Sequence, residues 1–210
     1  MIKKYLIVKR LADLFFALII MVFLSPILLI ISVMIKKQSI GPVFYRGART
    51  GQFGRPFRIF KFRTMVENAE KVGGPSSAFN DPRFTKIGKI LRRYKLDELP
   101  QLINILKGEM SFVGPRPQVE EYTSKYEGEE KMILSVKPGL TDYASIEFIN
   151  LDKILGDENV DEKYRKEVEP RKNELRLKYV KEKSFWTDIR IIFRTVVKFF
   201  KLKKLWSIED

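Results

Sequence analysis

The clearest pattern in the chain is an uncharged apolar run over residues 14–35, LFFALIIMVFLSPILLIISVMI. Its roughly 22 residues match the length of a helix that crosses the hydrocarbon core of a bilayer. Pro26 follows Ser25 near the middle of the run, where a proline removes a helical hydrogen bond and kinks the axis. Basic residues flank both ends, so a straight span would carry one basic group across the membrane.

We therefore predict a re-entrant helix over residues 1–37 that bends at Ser25 and keeps both basic flanks in the cytoplasm. A kinked single-pass anchor is the alternative. No Ala-x-Ala-like site follows the run, so we do not expect it to be removed as a signal peptide. Asp13 is unusual for a position that faces lipid, and we expect it to pair with Lys9 or Arg10.

After residue 40 the pattern changes to short strand-like segments. Residues 57–64 alternate in character, and the GARTGQFG segment can turn between them and residues 43–46. We predict a small β-hairpin. Lys61 and Arg63 would share one of its faces, which suits phosphate binding, although a solvated basic face fits the pattern equally well.

Two helices are predicted next. Residues 85–95 are basic and carry apolar side chains at helical spacing. The second helix should open near Asp97-Glu98-Leu99-Pro100, because acidic residues and proline suit a first turn, and should stop near Gly108. Taken alone, Asp97 and Glu98 describe an ordinary helix N-terminus.

The residues around this predicted N-terminus favour a phosphate site over a simple cap. A helix N-terminus attracts anions through its unpaired N–H groups, and six basic residues lie near it in the sequence or on the hairpin: Lys61, Arg63, Arg92, Arg93, Lys95 and Arg116. Neighbouring helical side chains point about 100° apart, so Asp97 and Glu98 should divide their roles instead of facing each other as acid and base.

The last part of the chain is predicted to be helical and partly amphipathic. Residues 120–130 and 147–169 are acidic and polar, and we interpret them as surface helix and loop. Residues 184–206 predict a basic amphipathic helix whose Trp186 and Trp206 suit the headgroup region of a bilayer, with packing on the domain core as the alternative.

The predicted fold class is α+β and mostly helical. It comprises a re-entrant membrane helix hairpin over residues 1–37, a cytosolic catalytic core with a small β-hairpin over residues 38–145, and a helical region with an interfacial amphipathic helix over residues 146–210. We interpret residues 67–81, rich in Gly, Ser, Pro and Asn, as a loop within the core.

Composition narrows the chemistry that this fold can perform. The chain has 210 residues with 40 Lys+Arg against 26 Asp+Glu, a net charge of +14. That charge favours an anionic partner, which could be a phosphate-bearing substrate, nucleic acid or an anionic bilayer. The chain has no Cys and no His, so catalysis must use carboxylates, Lys, Arg, Tyr, Ser or Thr. A metal bound by oxygen ligands would be a hard cation such as Mg²⁺.

Four motifs occur in an order that resembles a known enzyme family. They are KRLAD before the apolar run, KFRTM at residues 61–65, the long DPRFTKIGKILRRYKLDELPQLINILKGEMSFVGPRP at 81–117, and KPGLT at 137–141. From the first motif to the last, they span most of residues 8–141. The sequence is similar to the monotopic phosphoglycosyl transferases, the bacterial sugar transferases that start glycan assembly on polyprenyl phosphate.

The resemblance implies a membrane helix that breaks at Ser25-Pro26, a bacterial inner-membrane location and an active site that faces the cytoplasm. Asp97 would attack the sugar-linked phosphate of a UDP-sugar and release UMP, and polyprenyl phosphate would then take the phosphosugar. Glu98 would help to hold Mg²⁺. Lys61 and Arg116, together with Arg92, match basic positions near the phosphates.

The partners expected from this resemblance are a UDP-sugar, undecaprenyl phosphate and the membrane, without nucleic acid, while a homodimer stays open. One segment departs from the family pattern. After KPGLT the family commonly continues with Gly and an Asn-Gly-Arg stretch, whereas this chain reads DYASIEFINLDKIL. Because that region is thought to shape the nucleotide-sugar site, the identity of the sugar is left open.

Two other functions remain as alternatives. The first is a basic, membrane-tethered scaffold without catalysis, which would bind anionic lipid or nucleic acid through its charge. The second is a transferase that passes the sugar without its phosphate and therefore releases UDP.

Overall fold

The fold is mostly helical, with three small two-stranded sheets. The computed structural model of the chain describes residues 2–69, 81–155 and 160–206, so most of the predicted loop at 67–81 lies outside the described residues. The helices are α1 Ile2–Gln38, α2 Lys86–Arg93, α3 Gln101–Lys107, α4 Glu120–Thr123, α5 Tyr143–Glu147, α6 Leu151–Leu155, α7 Val160–Lys163, α8 Glu169–Glu182 and α9 Phe185–Trp206. The strands are β1 Phe44–Tyr45, β2 Ala48–Thr50, β3 Pro56–Arg58, β4 Lys61–Phe62, β5 Ser111–Val113 and β6 Gly139–Thr141.

Helix α1 runs through the apolar segment as one assigned helix with Pro26 inside it. It is long and apolar enough to cross a membrane. Proline has no N–H to donate to the carbonyl of Val22, four residues earlier, and the Ser25 hydroxyl donates to that carbonyl instead, at 2.7 Å. The structure therefore supplies a partner for the backbone group that Pro26 leaves free. The re-entrant bend itself remains a prediction.

Both ends of α1 pack against the same folded domain. In its first half, Ala17 is fully buried in a core cluster with Ile59 and Ile105, and Ile20 and Met21 pack against the same cluster. Near its end, Ile35 is buried in a second cluster with Phe62. The part of the helix between these contacts is largely exposed, since most of its large apolar side chains are open to the surroundings.

Polar side chains of α1 also hold its first half to the domain. Arg10 donates to the carbonyls of Ile105 and Leu106 at 2.6 and 3.0 Å, where α3 ends. Asp13 is buried and accepts from the backbone N–H of Phe112 at 3.1 Å. Our expectation that Asp13 pairs with a neighbouring lysine or arginine of the same helix is wrong, because a backbone donor from the domain reaches it.

The predicted β-hairpin is confirmed as two short antiparallel ladders in succession. Strand β1 pairs with β4, and β2 pairs with β3. The chain reverses through a 3-10 turn at Gln52–Gly54 in which Phe53 and Gly54 have φ angles of 57° and 76°. Strand β4 ends at Phe62, and the backbone N–H of Arg63 still donates to the carbonyl of Val43 at 2.9 Å.

Helix α2 lies close against the end of this hairpin. Thr85 caps the helix by accepting from the N–H of Gly88 at 3.0 Å. A side chain at Gly88 would overlap the backbone of Thr64, because a Cβ built there meets the Thr64 carbonyl group. Glycine is unfavourable inside a helix, but here the absence of a side chain allows α2 and the hairpin to approach each other.

The acidic segments 120–130 and 147–169 contain buried residues as well as surface. Tyr122, Leu155, Tyr164 and Val168 form a core cluster, with partly buried neighbours that include Phe148. The interpretation of these segments as surface helix and loop is therefore incomplete, because their few apolar side chains converge into a small core.

Helix α9 confirms the helical prediction for residues 184–206. Ile191 is fully buried with Val113 and Tyr179 beneath the parallel β5–β6 pair. Most of the apolar residues that occur at helical spacing along α9 are exposed: Phe185, Ile189, Ile192, Phe193, Val196, Val197 and Phe200. The helix thus presents its apolar face outward in the described structure, and the contact of that face with a membrane remains a prediction.

Candidate active site

Asp97 and Glu98 lie in a 3-10 turn, Leu96–Glu98, that joins α2 to α3. Lys95 adopts a left-handed conformation with a φ of 56° and turns the chain between the two helices. Helix α3 itself begins at Gln101, so the two carboxylates precede the helix and do not form its first turn. Its end at Gly108, with a φ of 81°, agrees with the prediction.

Glu98 is held by two cations. Lys61 Nζ lies 3.0 Å from Oε1 of Glu98, and Arg116 donates through Nη1 to Oε2 at 2.6 Å and through Nη2 to Oε1. Burial would raise the pKa of Glu98, but Arg116 and Lys61 outweigh it and hold the pKa well below its usual range. Glu98 is therefore ionised and fixed in orientation.

Asp97 has the opposite character. Its side chain is only 6% exposed, and its Oδ1 atom makes no hydrogen bond within the part of the chain that the structure describes. Burial raises the pKa of Asp97, Lys61 and Arg92 oppose the rise, and the charge of Glu98 adds to it. A buried carboxylate oxygen without a partner is costly for folding, so this position calls for an explanation beyond stability.

Lys61 connects the two carboxylates electrostatically. Burial lowers its pKa, while Glu98 and Asp97 act in the other direction. Its position follows from strand β4, which carries the lysine directly toward the turn that holds both acids. This confirms the predicted proximity of the hairpin and the acidic pair.

Arg116 is fixed by the end of the parallel strand pair. Its Nη1 also donates to the carbonyl of Leu140 at 2.7 Å. Its backbone N–H contacts Asp142 at 3.3 Å, and Asp142 accepts from both the N–H and the hydroxyl of Ser145 at 2.6 Å. The KPGLT segment thus helps to position the arginine that holds Glu98.

Arg92 and Arg63, the two remaining residues predicted to bind phosphate, differ in their positions. Arg92 lines the cavity beside Asp97 and lies over the ring of Phe84. Arg63 is not brought to the cavity. Its guanidinium instead donates to the carbonyls of Ser39 and Ile40, directly after α1.

A cavity of about 580 Å³ opens onto these residues. Its wall includes Lys61, Arg92, Asp97, Glu98 and Arg116, and it continues along side chains that the sequence did not indicate: Tyr122, Phe148, Tyr164, Arg176, Phe199 and Phe200. Tyr122 lies in α4, Arg176 in α8, and Phe199 and Phe200 in α9. Phe148 directly follows α5, and Tyr164 lies in the helical turn between α7 and α8. The cavity therefore crosses the predicted boundary at residue 145, and the departure after KPGLT was the one signal in the sequence that pointed there.

The residues at the turn match the donor chemistry that Mg²⁺ prefers. Mg²⁺ is commonly held by one or two carboxylates together with substrate phosphates. Among the described residues no group of three or more acidic side chains could hold a metal. Glu98 is the predicted ligand, and in the described structure both of its oxygens pair with Lys61 or Arg116, so Mg²⁺ binding at this turn remains a prediction.

The chain belongs to the bacterial sugar transferase family, whose sequence model matches residues 4–202. This family assignment agrees with the resemblance drawn from the motifs. It rests on almost the whole chain, including the α8 and α9 region that the motifs do not cover.

Several characterised or named relatives are similar to the chain. A UDP-glucose:undecaprenyl-phosphate glucose-1-phosphate transferase of Escherichia coli is 42% identical over 200 residues, which cover 92% of this chain and 40% of the relative. A UDP-N-acetylgalactosamine-undecaprenyl-phosphate N-acetylgalactosaminephosphotransferase of Aeromonas hydrophila is 34% identical over 197 residues, 91% of this chain and 43% of the relative. The sugar transferase EpsL of Bacillus subtilis is 35% identical, and 87% of its length is matched. The chain thus spans less than half of the first two relatives and most of the third.

Proposed function

We propose that this protein moves a sugar 1-phosphate from a UDP-sugar to polyprenyl (undecaprenyl) phosphate, releases UMP, and so performs the first membrane step of a bacterial glycan assembly. The observation that carries the proposal is the buried, unpartnered Oδ1 of Asp97 beside Lys61 and an ionised, oriented Glu98. The names of the Escherichia coli and Aeromonas hydrophila relatives support the same type of reaction.

Asp97 is proposed as the covalent nucleophile, since a carboxylate can form a phosphorylated intermediate. Its oxygen attacks the phosphorus bonded to the sugar, forms a carboxylate–phosphate bond and breaks the bond to the bridging oxygen, which leaves with UMP. An oxygen of polyprenyl phosphate then attacks the same phosphorus. The product is a polyprenyl diphosphate sugar, and Asp97 returns to its carboxylate form.

The cations around the turn offset the charge of this reaction. A carboxylate that approaches a diphosphate meets repulsion, which Lys61 and Arg92 reduce from the wall of the cavity. Arg116 keeps Glu98 ionised and oriented. When bound, Mg²⁺ held by Glu98 would neutralise charge on the diphosphate and stabilise the leaving UMP.

Helix α1 is proposed to enter and leave the membrane on the cytoplasmic side. A helix that spans a hydrocarbon core of about 30 Å separates its two ends by that distance. Here Ala17 and Ile35 both pack against core clusters of one domain, next to residues of the same hairpin. A bend at Ser25-Pro26 allows both contacts, while the exposed side chains around the bend, Val22, Phe23 and Ile27, lie in lipid.

The reaction is tested with the full-length protein in detergent, Mg²⁺, undecaprenyl phosphate and a panel of UDP-sugars, with UMP and UDP measured separately. Wild-type protein should release UMP, and Asp97→Asn should lower its rate by about three orders of magnitude or more. Glu129→Gln, which changes an exposed carboxylate, is the matched control.

Each alternative gives a different result in this assay. UDP as the nucleotide product would show transfer of the sugar without its phosphate. UMP release by Asp97→Asn at the wild-type rate would refute the nucleophile. If no donor yields either nucleotide while lipid binding falls steeply with salt, the protein is a basic scaffold. In the proposed reaction, mass spectrometry should find a phosphosugar adduct on the peptide that contains Asp97.

A further inference from the structure

The far part of the cavity wall contains a buried arginine without an acidic partner. Arg176 on α8 is 1% exposed and lines the cavity. Its Nη1 atom donates to Oδ1 of Asn173 at 2.8 Å. In the orientation of the Gln118 amide that matches donors to acceptors, Nη1 and Nη2 both donate to the Gln118 oxygen, the first at 3.0 Å.

These two partners are neutral amides, and the Tyr164 hydroxyl, which also bonds Arg176, is neutral as well. Within the described part of the chain, no carboxylate lies within ion-pair distance of Arg176, and its Nε–H has no hydrogen-bond acceptor. Asp142 and Glu169 are close enough to interact electrostatically with the guanidinium, but neither forms an ion pair with it, and Asp142 is already used by Ser145 and by the backbone of Arg116. A buried charge that lacks an opposite charge is unfavourable unless a ligand provides one.

A second cation lies on the same face of α8. Lys172 is one helical turn before Arg176, is also buried, and lines the same cavity over the ring of Tyr164. Two like charges at i and i+4 on a helix repel each other. An anion bound at this part of the wall would be attracted by both cations.

The neighbouring helix α5 belongs to the segment that departs from the family pattern. Ala144, Ser145 and Phe148 in and after α5 line the cavity together with Arg176. The unusual sequence and the unpaired arginine therefore occur at the same part of the cavity wall.

We propose that Arg176 forms a second oxyanion subsite, which binds a carboxylate or phosphate group of the donor nucleotide sugar. This inference rests on the proposed function, since it assigns the donor to the cavity. An arginine suits both groups, because its planar fork binds two oxygens at once. A carboxylate would identify the donor as a UDP-hexuronate, and a phosphate would mean that Arg176 reads the nucleotide part of every donor.

The test measures donor binding without turnover. Asp97→Asn protein, full length and in detergent, is titrated with UDP-glucose, UDP-glucuronate and UMP by calorimetry. Arg176→Gln should weaken binding at least tenfold. An equal loss for all three ligands identifies a nucleotide phosphate, and a loss for UDP-glucuronate alone identifies the sugar carboxylate.

The matched control is Arg171→Gln, since Arg171 lies on the same helix but is exposed and pairs with Glu147. If Arg176→Gln binds all three ligands within twofold of this control, the inference is overturned. A change confined to the KM for undecaprenyl phosphate, measured in otherwise wild-type protein, also overturns it. Absence of UMP release by wild-type protein would instead count against the proposed function, because the binding assay needs no reaction.

A second variant covers the case in which Arg176→Gln does not fold. Gln118→Glu places a carboxylate beside Arg176 and supplies the missing charge from within the chain. We expect it to raise the melting temperature and to weaken donor binding at least tenfold. Higher stability with unchanged donor binding would show that Arg176 has only a structural role.

Discussion

At the residue scale, Asp97 and Glu98 differ because of what surrounds each of them. Glu98 forms ion pairs with Arg116 and Lys61, which keep it ionised and fix its orientation. Asp97 is buried with one oxygen unpartnered among the described residues. Two adjacent residues of similar chemistry thus acquire different properties, as is typical of carboxylates with separate functions in one site.

The pH dependence of the reaction should depend on Lys61. Asp97 must be ionised to attack, so kcat/KM should rise with pH as Asp97 loses its proton. Lys61 lowers the raised pKa of Asp97, and Lys61→Met removes that effect. The acidic limb of the pH profile should therefore move to higher pH by about one unit.

The rate of UMP release is measured between about pH 5 and about pH 9. This range includes raised carboxyl pKa values. Lys89→Met, on the exposed side of α2, should leave the limb in place. A limb that stays unchanged or moves to lower pH in Lys61→Met would contradict the electrostatic role of Lys61.

At the element scale, Gly88 decides how closely α2 approaches the hairpin. In an isolated helix, alanine is more favourable than glycine by about 1 kcal/mol. In this protein Gly88→Ala should instead destabilise the fold by about 2 kcal/mol, because the new methyl group overlaps the carbonyl of Thr64.

Thermal unfolding of Gly88→Ala and Lys89→Ala compares the two effects on one helix. The Lys89 variant adds alanine at an exposed position and should unfold at nearly the wild-type temperature. If Gly88→Ala is as stable as the wild type or more so, helix propensity outweighs the close approach and the structural argument fails.

Local sequence predicted several elements correctly. The hairpin follows from side-chain alternation, and α2 and α3 follow from apolar spacing with Thr85 and Gly108 at their ends. Local pattern could not predict the partner of Asp13, which is a backbone group of Phe112. It also placed Arg63 with Lys61, whereas the Arg63 guanidinium bonds the carbonyls of Ser39 and Ile40, which only tertiary packing brings close to it.

The sequence predicted only the part of the candidate site around the turn that carries Asp97 and Glu98. The residues near Asp97 are close in sequence or belong to the family motifs. The rest of the cavity wall comes from α5, α8 and α9, and contacts between such distant segments depend on tertiary packing. No periodicity in the sequence distinguishes Arg176 from the many exposed basic residues around it.

At the scale of the whole molecule, the two ends of α1 should lie on one side of the membrane. Because the chain has no cysteine, Lys4→Cys and Lys37→Cys each give a single labelling position. Both positions are exposed. In inverted inner-membrane vesicles, both should react with a membrane-impermeant maleimide, as should a Lys89→Cys reference on the catalytic domain.

In intact spheroplasts none of the three should react until the membrane is permeabilised. Reaction of the Lys4 and Lys37 positions from opposite sides would show that α1 spans the bilayer once. The contacts of Arg10 and Ile35 with one domain would then need to be reconsidered.

The anchoring of α1 by Arg10 and Asp13 limits how the protein can be dissected. Removal of the helix would leave the last carbonyls of α3 and the N–H of Phe112 without these partners, and would expose the core around Ile59 and Ile105. The apolar helix α1 is therefore also part of the folded core of the domain. A water-soluble fragment made by truncation after Gln38 would lose part of its own core, so biochemical work on this protein requires the intact chain in detergent or lipid.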